Sequence, residues 1–290
     1  MSPVPPRRGL LSGTAWMPYA LLLPGLLWLG LFFVTPILTL LSTSLQEGSI
    51  STGYRFTWRF ANYTNAFSDY QAQFGRSILY AGLATLLALV ICYPLAYFIA
   101  FRAGRYKNLM LLIVVAPFFT SFLIRTLSWK IILADSGWVV GMFQTLGLLP
   151  PGGRLLATSF AVVAGITYNF LPFMTLPLYT SLERLDASLI EAAGDLYAGP
   201  VTTFFKVTFP LSMPGVVAGT LLTFIPAAGD YINVRFLGTP SQSMLGNVID
   251  SRFLAVLDYP TAAALSITLM FTILVLVGLY VRRAGTEDLV

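Results

Sequence analysis

The chain predicts an all-α, polytopic membrane protein. Three observations carry that expectation. Of its 290 residues, 57% are hydrophobic and only 10% are charged, whereas a soluble domain carries about 25% charged residues. The mean hydropathy is +0.78. The apolar residues also gather into runs long enough to cross a hydrocarbon core, which takes about 20 of them.

Six such runs can be read in order. Residues 19–41 and 77–101 hold no charge. The third run, 109–129, holds Arg125 near its end. The fourth lies within 155–182, the fifth within 207–229 and the sixth within 259–281. The first follows Arg7 and Arg8, as a signal peptide would. Its apolar stretch is too long for that, and no A-x-A-like cleavage site follows, so it is expected to remain as a span. The whole then divides into a tail at 1–18, a six-span domain at 19–282 and a tail at 283–290.

An even number of spans places both termini on one side. Arg7 and Arg8, then Arg102, Arg105 and Lys107, then Arg282 and Arg283 fall on that side in clusters free of acids. Short loops rich in Lys and Arg stay in the cytoplasm, so both termini are expected there. The net charge of +5 follows from such flanks and does not call for nucleic acid.

Prolines recur inside the spans at Pro24, Pro36, Pro94, Pro117, Pro172, Pro177 and Pro226. Singly they suit kinked packing; as a set they suit broken helices beside a pathway. Gly82, Ala84, Gly165, Gly215 and Gly219 would admit close helix contacts. The outer segment 46–76 carries Trp58, Tyr63, Phe67, Tyr70 and Phe74, suited to a headgroup belt or a docking face. Its Asn62-Tyr63-Thr64 sequon is read as a chance match.

Much chemistry is excluded. There is no histidine and a single cysteine, Cys92. That removes Ser-His-Asp and Cys-His catalysis, His-ligated metals, Cys clusters for a metal and any intrachain disulfide. No G-x-x-x-x-G-K-[ST] phosphate loop is present, so the chain is not expected to bind or hydrolyse ATP.

Between the fourth and fifth runs lies a polar, helix-forming island, about 184–211. Asp186 can cap a helix. Leu189, Ala193, Leu196 and Tyr197 follow at helical spacing, with Glu191 and Asp195 on another face. Pro200 stops this helix or starts the next. An amphipathic helix lying on lipid would be rich in Lys and Arg, but this island offers Lys206 and, just outside, Arg184. Its two carboxylates would be repelled by anionic lipid, so a helix held in a protein groove fits better.

These residues resemble the EAA loop of ABC-importer permease subunits. The match comprises Glu191, Ala192, Ala193, Asp195, Leu196, Phe209, Pro210 and Leu211, extended by Pro214 and Gly215. The family's usual Gly lies six residues after the Glu, where this chain has Tyr197. The loop is therefore expected to turn differently and to present a bulky ring to its partner. Further stretches resemble the first permease of spermidine/putrescine importers: Leu123-Ile124-Arg125, Leu171-Pro172-Phe173-Met174, Pro177-Leu178-Tyr179, Met244 through Ile249 and Ala262 through Thr268.

The resemblance implies a type I ABC-importer permease fold in a bacterial inner membrane. It implies a second permease in a heterodimer, two ATPase subunits that hold ATP and Mg, and an extracytoplasmic solute-binding protein. Glu191, Ala192, Ala193, Asp195, Leu196 and Tyr197 would couple to the ATPase, whose closure would rock the bundle between inward- and outward-open states. A polyamine needs carboxylates for its ammonium groups and aromatic faces for its stem. Asp230 and Tyr231 at the outer end of the fifth span answer that need, with Tyr168, Phe170 and Phe173 as lining. Asp230 could equally be a solvated span end. Arg125 either snorkels to the interface or pairs with an acid and closes the route. Two alternatives stay open: the same machinery for an iron complex, sulfate or amino-acid derivative, or a stand-alone secondary carrier. The carrier would need intramembrane ionisable residues, which the spans nearly lack, and a membrane enzyme would need clustered catalytic groups.

Overall fold

The computed structural model describes residues 17–150 and 152–284. The expected tails, with Arg7 and Arg8, lie largely outside the described residues.

The chain starts with α1 (Met17–Leu29), a π-helical turn (Gly30–Val34) and α2 (Thr35–Ser44). Together they form one continuous apolar helix, Leu21–Ser44, none of whose membrane-length window is buried by the rest of the chain. Only α2 packs, along α15 (Tyr259–Ala284). A helix apolar on all sides and exposed over most of its length must be covered by lipid or protein.

A hairpin of β1 (Gln46–Ser49) and β2 (Gly53–Phe56) follows, paired antiparallel with Gln46 opposite Phe56. It amends the all-α expectation. At its turn Gly48 has φ +130°, and a Cβ there would lie 2.0 Å from the Gly53 carbonyl oxygen. Then comes α3 (Ala61–Asp69). The aromatics of this segment divide. Phe74 is buried, and Tyr63 hydrogen-bonds Ser44 Oγ at 2.5 Å. Trp58 and Phe67 stay exposed.

The centre of the bundle is α4 (Gln71–Phe101), α8 (Ser159–Glu183) and α12 (Met213–Ala228). Small residues let them approach. A Cβ on Gly215 would lie 2.5 Å from Ser181 Cβ, and one on Gly219 2.8 Å from Met174 Sδ. Gly165 meets Leu237 in the same way, and Ala84 is fully buried. Gly82 departs from expectation, since no atom lies within 4 Å of a Cβ there. One cluster surrounds Val162, Ile166 and Phe170. A second surrounds Met174, Leu178 and Leu182, against Ala88, Cys92 and Val216. A third joins Phe74, Leu245 and Leu265.

Two of the expected spans are not straight. The third breaks into α5 (Lys107–Val115), ending in a 3-10 turn through Pro117, and α6 (Phe122–Ile132). The halves are bent by 94°, because Thr120 and Ser121 turn extended between them. The fifth breaks between α10 (Pro200–Thr203) with α11 (Phe209–Leu211), and α12, with a bend of 65°. Among the described residues, four helices are thus long and apolar enough to span a membrane, and two bent pairs accompany them. The remaining short helices are α7 (Trp138–Thr145), α9 (Ala187–Asp195), α13 (Ile232–Leu237) and α14 (Leu245–Asp250).

Candidate functional site

Two groups of residues bear on function. The first is buried. Asp230 follows α12 and is 7% exposed. Its Oδ1 accepts the Asn233 backbone N–H at 2.8 Å and its Oδ2 accepts Asn233 Nδ2–H at 2.9 Å. Asp230 therefore caps α13 from a dry site, and burial pushes its carboxyl up to about 6 although the Asn233 donors pull it down. A solvated span end is ruled out.

From Asn233 the chain of polar groups continues inward. Asn233 Oδ1 accepts Asn169 Nδ2–H at 3.0 Å, and Asn169 Nδ2 also reaches Thr126 Oγ1 at 3.3 Å. Asp230, Asn233, Asn169 and Thr126 thus form a connected track through α13, α8 and α6. Asn233, Asn169 and Thr126 are fully buried. Asn169 Oδ1 has no partner among the described residues. Sequence reasoning passed over all three. Their signal was available, since an amide inside an apolar run must find a partner there.

The track ends beside two expected pathway residues, Arg125 and Tyr168, adjacent in sequence to Thr126 and Asn169. They line one cavity of about 190 Å3 between α4, α5 and α8. Tyr168 meets Trp129 edge-on at 5.4 Å. Arg125 is 7% exposed, with its guanidinium over the rings of Phe118 and Phe122. It neither snorkels to an interface nor pairs with an acid of this chain among the described residues. Phe173 packs edge-on at 4.9 Å to Phe118, the ring under Arg125, and also lines an open groove between α8 and α12. Tyr231 is half-exposed beside Asp230, and its carbonyl accepts Asn247 Nδ2–H at 2.8 Å.

The second group is exposed. Asp186 Oδ1 accepts the Ser188 N–H at 2.9 Å and starts α9; that bond and the Ser188 hydroxyl hold its carboxyl below the usual range. Along α9, Ala193 is buried, while Glu191, Ala192 and Asp195 are exposed. Leu196 is 81% and Tyr197 98% exposed. Pro200 starts α10.

Tyr197 has φ +58°, the left-handed region. Its N–H donates to Gly194 O at 2.9 Å and the Ala198 N–H donates to Ala193 O at 3.0 Å. This is the paired-bond helix ending in which glycine usually occupies the left-handed position. The turn expected to differ is therefore the turn a glycine would make, held by a tyrosine. A non-glycine there costs about 1–2 kcal/mol, and here it sets a whole ring in solvent.

Comparison with known proteins agrees with this architecture. Residues 92–284 match the family model described as binding-protein-dependent transport system inner membrane component. The chain is 39% identical to the spermidine/putrescine transport system permease protein PotB of Haemophilus influenzae, over 88% of this chain and 90% of the relative. It is 36% identical to the protein of the same name from Escherichia coli, over 89% and 94%. It is also 31% identical to the Escherichia coli inner membrane ABC transporter permease protein YdcU, over 99% and 97%. Among solved structures, it resembles a chain of a bacterial ABC transporter that imports the acidic polysaccharide alginate. The TM-score is 0.73 at 18% identity, covering 94% of this chain and 96% of that one. A second structure of an alginate ABC transporter, in complex with a periplasmic protein bound to an alginate pentasaccharide, gives 0.65 at 20% identity over 90% and 91%.

Proposed function

Because the chain belongs to the family of binding-protein-dependent transport system inner membrane components, a multi-pass inner-membrane family, we propose that it is the permease subunit of an ATP-driven importer of spermidine and putrescine. The observation that carries the substrate is the near-full-length similarity to two proteins named for spermidine/putrescine transport. The alginate transporters share the fold and do not bear on the solute. Relatives named as permeases of transport systems leave no place for the stand-alone carrier or the membrane enzyme.

In this reading the four continuous helices and the two bent pairs make six spans, with both termini in the cytoplasm. The six-span domain covers residues 19–282, between short tails. The coupling loop is about 184–211. Glu191, Ala192, Ala193, Asp195, Leu196 and Tyr197 enter a groove of an ATPase subunit, and ATP with Mg stays on that subunit. A second permease completes a heterodimer, and a solute-binding protein delivers the cation from outside. The exposure of Leu196 and Tyr197 supports this, since apolar side chains held out on a capped helix are suited to a protein partner.

The pathway residues are Asp230, Tyr231, Tyr168, Phe173 and Arg125. The polar track supports grouping Asp230 with Tyr168 and Arg125, because it joins their helices through the apolar interior. Alternating access then acts on the two bends, one at Thr120–Ser121, where the helix opens to extended backbone, and one at Ser212.

Uptake by the complete complex in proteoliposomes tests the reading. Labelled spermidine and putrescine should accumulate with ATP and the binding protein, while sulfate and iron complexes should not. Accumulation of one of those instead, with polyamines ignored, would overturn the substrate and keep the family.

A further inference from the structure

Trp58 is held outward by a backbone conformation that a bulky residue resists. Its φ is +53°, in the left-handed region, where a large side chain is a genuine outlier. The surrounding hydrogen bonds fix it there. The Leu45 carbonyl accepts the Thr57 N–H at 3.4 Å and the Arg59 N–H at 3.0 Å, and the Phe60 N–H donates to the Trp58 carbonyl at 2.9 Å. Two donors on one acceptor leave Trp58 looped out between them. Leu45 is buried, whereas Trp58 is 62% exposed. Strain of this kind persists only where neighbouring structure over-determines it, and it gathers at functional positions.

The indole is one of three. Phe56 lies edge-on to it at 4.8 Å and Phe60 is stacked with it at 6.4 Å. Both rings are exposed. Arg55, beside Phe56, is exposed and belongs to none of the five ion pairs among the described residues.

The place of this ladder says what covers it. Leu45, to which the Trp58 loop is tied, directly follows α2 and so ends the apolar helix Leu21–Ser44. Further along β2, the Tyr54 hydroxyl donates to the Leu257 carbonyl, and the Tyr54 ring meets that of Tyr259, the first residue of α15, at 5.4 Å. The hairpin therefore lies against the ends of two helices of membrane length, where apolar surface gives way to polar loops. An indole favours that level, because its body is apolar and its N–H is polar.

We propose that Phe56, Trp58 and Phe60 form a membrane-interface anchor seated in the lipid headgroup layer, whose phosphates Arg55 suits. A docking face for a protein arriving from water would stand clear of the helix ends. This ladder is level with them, and it continues the exposed apolar surface of α2 at Leu38 and Leu41. The anchor requires only that Leu21–Ser44 and α15 cross the membrane. It holds for either orientation of the termini and for any transported solute.

The complete complex in lipid nanodiscs tests the anchor. Subtracting the fluorescence of Trp58→Phe from that of the wild type isolates Trp58, and Trp58→Tyr serves as the reference if Trp58→Phe does not assemble. Lipid brominated near the headgroup end of its acyl chains should remove most of that difference emission. Acrylamide, a quencher dissolved in the water, should remove little of it, and adding the solute-binding protein should change neither result. Difference emission that is unchanged in brominated lipid would overturn the anchor. If acrylamide then quenched Trp58 freely until the solute-binding protein was added, the ladder would be a docking face for that protein instead.

Discussion

The buried track and helix α9 use similar residues in opposite ways. Asp230, Asn233, Asn169 and Thr126 turn their polar atoms on one another inside the bundle. Glu191, Asp195, Leu196 and Tyr197 turn away from it. The carboxylate that looked free to meet a solute is engaged within the chain. The ring offered to a partner is left almost wholly bare. Burial separates what holds the fold from what awaits a partner, and residue type does not.

Removing a member of the track should have the largest effect. Asn233→Leu takes the Nδ2–H donor from the buried Asp230 carboxylate, leaving it the backbone N–H alone, and takes the Oδ1 acceptor from Asn169, so stability should fall by about 3 kcal/mol. Unfolding of the detergent-solubilised permease measures this. Adding Asp230→Leu should return a large part, because no charge is then stranded. If Asn233→Leu is silent, the track is not what holds α13, and the comparison fails on its buried side.

On the exposed side the expected effects are on binding. Tyr197→Ala should weaken ATPase attachment by about 2 kcal/mol with the bundle unchanged, measured by titrating the ATPase onto the purified permease. Full affinity would mean the ring lies on the membrane side. Glu191→Lys should lower solute-stimulated ATP hydrolysis and uptake together by about tenfold, which is 1.4 kcal/mol. A loss of uptake with ATP hydrolysis intact would place Glu191 outside the coupling surface.

Tyr197→Gly sharpens the contrast within one residue. It removes the ring, so attachment should suffer as in Tyr197→Ala. It also relieves the left-handed backbone, so the isolated permease should gain about 1 kcal/mol where Tyr197→Ala gains none. Equal stabilities would mean that φ +58° carries no strain. The smallest effect is expected from Asp230→Asn, which keeps an acceptor for the Asn233 N–H while removing the charge. Apparent KM for polyamine should rise about threefold, with assembly intact. An unchanged KM would confine Asp230 to capping α13.

The sequence alone determined the membrane class, the positions of the apolar segments and the helix that starts at Asp186. Each rests on local facts: the length of apolar runs, the distance between charged clusters, and a carboxylate next to free N–H groups. The motif Glu191-Ala192-Ala193 and its continuation to Leu211 were legible for the same reason. Several features were decided only in three dimensions. Pro117 is one of seven prolines in the spans, but the sharp bend formed three residues on, at Thr120 and Ser121, from which α6 packs on α8 and α13. The hairpin at Gln46–Ser49 and Gly53–Phe56 depended on pairing across a turn. Asp230 became a buried cap because Asn233, three residues on, folded back over it while Asn169, far away in sequence, met Asn233. Arg125 was enclosed because the chain turns by 94° between Phe119 and Phe122, which sets Phe118 over its guanidinium. Runs of residue type fix where a chain can cross a membrane; which polar groups meet is set by contacts between helices distant in sequence, and no local pattern encodes those.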